Sequence, residues 1–331
     1  MPNLSLDAAQ SLVIDAMLRA RTGQAQAASV ARALVAAEAS GQGGHGLRRV
    51  PAYAGQAKAG KTDGFAVPVA EHARAGVLRI DARNGFAYPA LDLAVAELPA
   101  LVREAGVALA AIRNSHHAGV MALTVERFAE AGLVALMVAN APAAMAPWGG
   151  LTPMFGTNPI AFAAPVGKGG DPVVVDLSLS KVARGKVMAA RQKGVAIPEG
   201  WALDREGRPT TDAEAAMAGT MVPSGDAKGA ALAMMVEMLA AGLTGANYAT
   251  QASSLFDDQG PPPGLGHLII AIDPAAVGGA GAVERFAAMA EMIAAEPGAR
   301  VPGRRGLAAR RRAAAEGIEV EDEVLAAIAA V

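Results

Sequence analysis

The segment Arg113-Asn114-Ser115-His116-His117-Ala118-Gly119 sets two of the chain's five histidines side by side, directly after the apolar run Gly106 to Ile112. Imidazole is the side chain most readily poised to exchange a proton near neutral pH. A histidine pair at the end of an expected buried strand therefore marks a candidate acid/base. A second cluster lies upstream, where His45 and Arg49 stand four residues apart and can reach one cavity from a shared helical face or from a loop. The planar guanidinium of Arg49 is suited to clamp a carboxylate through two parallel hydrogen bonds. His117 can deliver a proton to a carbonyl oxygen as it becomes an alkoxide, and His45 can polarise the same oxygen. Arg48 reads as solvent-facing, and His72 and His267 read as structural.

Other polar groups are placed where a nucleotide could use them. Asp176 ends the apolar run Val173-Val174-Val175, with Ser178, Ser180, Lys181, Arg184 and Lys186 following. Lys228 precedes a strongly apolar helix, whose first backbone N–H groups favour an anion. Phe155-Gly156-Thr157-Asn158-Pro159 reads as a tight turn between two strands. By contrast, Gly41-Gln42-Gly43-Gly44-His45-Gly46 satisfies G-x-G-x-x-G in letters only. That fingerprint requires a strand before it and a helix after it, whereas here a helix precedes and Leu47 to Gly55 reads as a loop interrupted by Pro51. Adjacent histidines on a strand point in opposite directions, and no H-x-H or H-E-x-x-H spacing occurs, so no metal site is expected.

The elements that must carry these residues follow from the hydrophobic pattern. The chain has 331 residues, 53% of them hydrophobic and 18% charged, with a formal net charge of −2. It can bury a large core and has no charge excess to attract nucleic acid. Cysteine is absent, which excludes disulfides and thiolate chemistry and suits a reducing cytoplasm. No signal peptide is read at the N-terminus. The apolar stretch Gly229 to Thr244 is too short for a membrane span and contains Glu237, so it reads as a buried helix.

Two packed helices are expected over Ser5 to Ser40. Val77–Ile80, Val107–Ile112, Leu133–Asn140, Ile160–Pro165, Val173–Leu177 and Leu268–Ile272 read as strands. Helices are expected over Leu91–Ala105, over Ala122–Ala131, near Lys228 and from Val283 onward, with a loop from Pro198 to Pro223. The fold class is mixed α/β with a central sheet.

Taken in order, several of these segments resemble the malate/L-lactate dehydrogenase family that is distinct from the Rossmann-type lactate and malate dehydrogenases. They are His45-Gly46-Leu47-Arg48-Arg49-Val50-Pro51-Ala52-Tyr53, Asn114-Ser115-His116-His117, Ala146-Pro147-Trp148-Gly149-Gly150, and Gly156-Thr157-Asn158-Pro159-Ile160-Ala161-Phe162. The match continues through Asp176 to Lys186, Lys228-Gly229 with Met235-Val236-Glu237, and Ile270-Ala271-Ile272-Asp273-Pro274.

The resemblance implies hydride transfer, with NAD or NADP, between nicotinamide and C2 of a small 2-oxo or 2-hydroxy acid of malate, lactate or sulfolactate type. Its alternative is reduction of a cyclic imino acid such as piperideine- or pyrroline-2-carboxylate. A catalytically silent nucleotide-binding protein is the reading from another class. The resemblance also implies a cytoplasmic homodimer acting on a small molecule, with no nucleic-acid or membrane partner. It implies a non-Rossmann cofactor domain over 76–283 and a smaller helical domain from 1–75 with 284–331.

By motif position His117 is the acid/base and His45 a proton donor. Arg49 is the carboxylate clamp, and Tyr53 a pocket residue beside His45. Asp176, Leu177, Ser178, Lys228, Val301, Pro302 and Gly303 are cofactor contacts. Three departures stand out. Gly44 replaces the serine that many members place before the first motif histidine. Ser115-His116-His117 is similar to the imine-reductase branch, while Ala118-Gly119 is similar to the hydroxyacid branch. Arg304-Arg305 follow Gly303 where an acidic residue or Gln is usual; an arginine beside an adenosine ribose favours a 2′-phosphate, and solvated helix-end charges are the other reading.

Overall fold

The computed structural model describes residues 1–331. Seven strands form the central sheet: β1 (Val69–Arg74), β2 (Val77–Asp81), β3 (Val107–Ser115), β4 (Val134–Ala139), β5 (Ile160–Ala164), β6 (Val173–Leu177) and β7 (Leu265–Ile272). Their spatial order is β1-β2-β3-β7-β4-β5-β6. Only β2 and β3 run parallel, so the sheet is mixed.

Before the sheet come α1 (Leu6–Arg19), α2 (Gln24–Ala39) and α3 (Val50–Ala59). The helix α4 (Ala87–Ala105) supplies the crossover that a parallel pair needs. Next come α5 (Ala122–Glu130), α6 (Arg184–Lys193) and α7 (Ala227–Glu237), and finally α8 (Ala282–Ala295), α9 (Arg304–Glu316) and α10 (Asp322–Ala329).

Side-chain alternation along the strands divides two cores. On β3, Ala108, Ala110 and Ile112 join a core of 49 buried residues that includes α1 to α5 and the C-terminal helices. Leu109 and Ala111 face a smaller core with Ala233 and Val236 of α7. The two ends of the chain meet, because Asn3–Leu4 pairs antiparallel with Ile318–Glu319.

Three local expectations are corrected. Pro51 does not interrupt the segment after His45: it sits in the first turn of α3, where its missing N–H costs nothing and its fixed φ suits a helix. The stretch from Pro198 to Pro223 is not a plain loop, since Ala202–Leu203, Pro209–Thr210 and Thr220–Met221 form a small sheet with a helix at Ala213–Ala218. The segment Gly229 to Thr244 is helical but not wholly buried. Met234, Met235, Met238 and Leu243 are exposed along it, and a π-helical turn follows at Met238–Gly242. No helix is long and apolar enough to cross a membrane.

Candidate active site

His45 and Arg49 are carried by two successive 3₁₀ turns, Gly43–His45 and Leu47–Arg49, between α2 and α3. A helix and not a strand precedes them. The turn is pinned from α2, because the backbone N–H of Leu47 donates to Glu38 Oε2 at 2.8 Å. A Cβ on Gly46 would fall 2.2 Å from that same oxygen, so the close approach requires glycine. Arg49 Nε donates to the carbonyl of Gly44 at 2.9 Å, and its guanidinium lies 5.2 Å from the centroid of the Phe256 ring.

His116 and His117 leave the end of β3. The His117 ring stacks on His45, with centroids 5.2 Å apart and planes 22° apart. Its Nδ1 is hydrogen-bonded to the Tyr53 hydroxyl at 2.7 Å, and the Tyr53 hydroxyl lies 3.2 Å from that of Tyr88. Tyr53 is fully buried behind His117, so its contact is with the imidazole and not with an open pocket wall. The structure thus brings His117 together with His45, Arg49 and Tyr53, which precede it by more than sixty residues.

The electrostatics follow from that crowding. Burial, and then the positive charge of Arg49, push His45 down to about 4 and hold His117 well below the usual histidine value. Burial raises the Tyr53 phenol and raises that of Tyr88 further. At neutral pH the site holds neutral imidazoles and protonated phenols beside one fixed cation. His116 faces away: its Nε2 meets Gln56 Oε1 at 2.8 Å, and burial pushes it down to about 3. His267 is equally buried and bonds Ser115 Oγ at 3.0 Å. His72 is paired with Glu97 at the surface. Exposed Arg48 pairs with Glu321.

The expected nucleotide contacts gather along β6. Asp176 occupies its open end, where the N–H of Ala122 donates to Asp176 Oδ2 at 2.8 Å. The packed protein around the carboxyl pushes it up to about 6, while the exposure of the residue to solvent on its open side acts in the opposite sense. Leu177 beside it is exposed, an apolar surface suited to a flat ring. Ser178 Oγ donates to the Ser180 carbonyl at 3.1 Å.

The loop with Val301, Pro302 and Gly303 lies against the same strand: the N–H of Val174 donates to the Pro302 carbonyl at 3.3 Å. Gly303, at φ 88°, is so close that a Cβ there would fall 2.8 Å from that of Val174. Lys228 is exposed in the first turn of α7. That turn is brought alongside because Ser224 N–H donates to the Leu179 carbonyl and Lys181 N–H to that of Val222, each at 2.8 Å. A carboxylate, an uncovered leucine and a lysine at a helix start along one strand end form a donor set that fits a nicotinamide dinucleotide.

Sequence reasoning missed several supporting residues. Lys61, its side chain buried, donates to the Ser254 carbonyl at 2.7 Å and to Asp257 Oδ1 at 3.1 Å. Gln56 Nε2 donates to the Asp257 carbonyl at 2.9 Å. Together they hold the loop that places Phe256 against Arg49. Neither Phe256 nor Tyr88 lies in a motif. Gly119 carried a signal only through its letter: its φ of 67° suits glycine, and its lack of a Cβ leaves room for the Tyr88 hydroxyl.

This fold and the sequence that forms it match known proteins. The family model for malate/L-lactate dehydrogenase matches residues 4–329. The chain is 50% identical over 322 residues, covering 97% of this chain and 96% of the relative, to a (2R)-3-sulfolactate dehydrogenase (NADP(+)) from Chromohalobacter salexigens. It is 39% identical over 330 residues, covering 99% and 96%, to a Delta(1)-pyrroline-2-carboxylate reductase from Ancylobacter novellus. Among solved structures it superposes on delta1-piperideine-2-carboxylate reductase from Pseudomonas syringae with a TM-score of 0.93, at 38% identity and covering 99% of each chain. The chain belongs to the malate/L-lactate dehydrogenase family and is a dehydrogenase/reductase of mixed α/β fold.

Proposed function

We propose that this enzyme transfers hydride between NADP(H) and C2 of a small 2-oxo or 2-hydroxy acid bearing a second anionic group, of the sulfolactate or malate type. The observation that carries this reading is the convergence of the His45–His117 ring stack with Arg49. Bound at the β6 edge, the reduced nicotinamide would supply the hydride. Asp176, Leu177, Ser178, Lys228 and Val301 to Gly303 would hold it. Arg49, braced by Gly44 and Phe256, binds the substrate carboxylate. Its guanidinium also lies 4.0 Å from where a Cβ on Gly185 would be. The start of α6 is therefore at hand for a second anionic group. His117 moves the proton at the substrate oxygen, since its Nδ1 is engaged by Tyr53 and Nε2 has no partner within the chain. His45, stacked on it, polarises that oxygen.

The preference for NADP(H) is supported by Arg304 and Arg305. Both are exposed, and they open α9 at the helix end whose dipole disfavours cations. Solvated helix-end charges would sit better at the other terminus, whereas a 2′-phosphate would profit from them where they are. The name of the 50% identical relative points the same way.

Cyclic imine reduction is the second reading. It is favoured by the Ser115-His116-His117 sequence and by the likeness to piperideine-2-carboxylate reductase. Steady-state rates with 3-sulfopyruvate, oxaloacetate and pyruvate, against piperideine- and pyrroline-2-carboxylate, each with NADPH and NADH, decide between them. A higher kcat/KM for the imines overturns the first reading.

We also propose that the enzyme is a homodimer of the reducing cytoplasm. The lack of cysteine suits that compartment. The exposed Met234, Met235, Met238 and Leu243 suit a partner surface.

A further inference from the structure

A charged cavity of about 270 Å³ lies beside the His117 loop, with Ala118 and Val120 in its wall. Its wall includes Arg32, Asp92, Glu126, Arg127 and Arg310, and also Tyr88. This volume is enough for several waters at ~30 Å³ each, and the lining offers them partners. Tyr88 is 7% exposed. Tyr88 belongs both to this wall and to the run of contacts, 3.2 Å and then 2.7 Å, that leads through Tyr53 to the imidazole. The absence of a side chain at Gly119 keeps the route clear: a Cβ there would fall 2.5 Å from the Tyr88 hydroxyl.

We propose that Tyr88 and Tyr53 form a proton relay that joins the Nδ1 side of His117 to water in this second cavity. The proposal rests on the reading of His117 as the group that moves the proton. A neutral imidazole that gives up its Nε2 proton must take another at Nδ1, or it becomes an imidazolate. In the reducing direction the Nε2–H bond breaks as the substrate O–H bond forms. The Tyr53 O–H bond breaks as Nδ1–H forms. The Tyr88 proton then passes to Tyr53, and a cavity water gives one to Tyr88, leaving a hydroxide that the returning proton later neutralises. One proton enters and one reaches the product, with no change of oxidation state along the chain of groups. After product leaves, water at the open front reprotonates Nε2 while the phenol protons step back to the cavity, which restores every group. The relay therefore serves the interval in which bound cofactor and substrate close the front of the site to water.

The test is Tyr88→Phe, beside His117→Ala and replacement of Tyr88 by a fluorotyrosine. The relay predicts that Tyr88→Phe leaves substrate KM and nucleotide Kd unchanged, lowers kcat about 10-fold and raises its solvent deuterium isotope effect. Fluorotyrosine keeps the shape and the hydroxyl but alters its acidity, so it changes the isotope effect without loss of fold. It also decides the matter if Tyr88→Phe does not fold. In the free protein, the nitrogen NMR resonance of His117 Nδ1 should move in Tyr53→Phe and, by less, in Tyr88→Phe. A Tyr88→Phe enzyme with unchanged kcat, isotope effect and Nδ1 resonance, while His117→Ala is inactive, overturns the relay and spares the role of His117. Full activity in His117→Ala overturns that role itself.

Discussion

At the scale of single residues, the chemistry proposed for this site depends on imidazoles kept neutral by burial and by one guanidinium. Replacing His117 with Ala should lower turnover roughly 10² to 10⁴-fold with nucleotide affinity retained, read by steady-state rates and by titration of bound NADPH. Replacing Arg304 and Arg305 together with Ala should lower kcat/KM for NADPH about 10-fold and leave NADH use nearly intact, which a comparison of the two cofactors measures.

Burial also makes stability depend on pH. His116 is held at about 3 and His267 at about 4, against an ordinary 6.5. The unfolded chain therefore takes up protons that the folded one refuses, so their contribution is complete above 6.5 and is lost as pH falls toward those values. The loss is roughly 1.4 kcal/mol per pH unit for each of the two. Urea midpoints measured from neutral pH downward should fall accordingly, with a shallower slope in His267→Gln.

Much at this scale could be read in the sequence. His45, Arg49 and His117 were marked by residue type and setting, and Asp176 by its place at the end of a strand. Tyr88 was invisible because its partner Tyr53 is 35 positions away. Lys61 and Gln56 were invisible because the loop they hold comes about 200 residues later in the chain.

At the scale of elements, the decisive piece is the short connection between α2 and α3. Two 3₁₀ turns cannot hold His45 and Arg49 by their own few hydrogen bonds, so the carboxylate of Glu38 acts as the anchor. Glu38→Ala should cost about 1–3 kcal/mol by leaving the Leu47 N–H without its partner. Because the same turn carries Arg49, substrate KM should rise while nucleotide Kd stays constant. Chemical denaturation and steady-state kinetics check the two halves of that expectation.

This connection also shows why periodicity failed locally. Pro51 is a breaker within a helix and a starter at its first turn, and a single sequence does not reveal which turn it occupies. The strands were read with more success, because β3, β4 and β7 are built around apolar runs that pack between the two cores. The pieces between 198 and 223 are two to six residues long, too short to show a period.

At the scale of the whole molecule, the sheet presents one face to the helices of both chain ends and the other to α7. The far side of α7 and the π-helical turn after it carry Met234, Met235 and Met238 in the open. If that surface is the homodimer contact, Met238→Lys should yield monomers in analytical ultracentrifugation while leaving the near-UV spectrum of the core intact. Dimers that persist would place the contact elsewhere. The composition foretold a large core and the alternation a sheet, but not the order of its strands, since pairing between distant segments leaves no periodic trace.

That order bears on synthesis. The strand at the middle of the sheet, β7, is formed by residues 265–272, between partners that end at residues 115 and 139. While the polypeptide emerges from the ribosome, the two half-sheets thus wait with bare facing edges until more than a hundred further residues are made. Such late, non-local pairing is slow, and bare edges invite pairing with strangers. The nascent protein therefore has a long interval in which a chaperone, or a lower growth temperature, decides its yield.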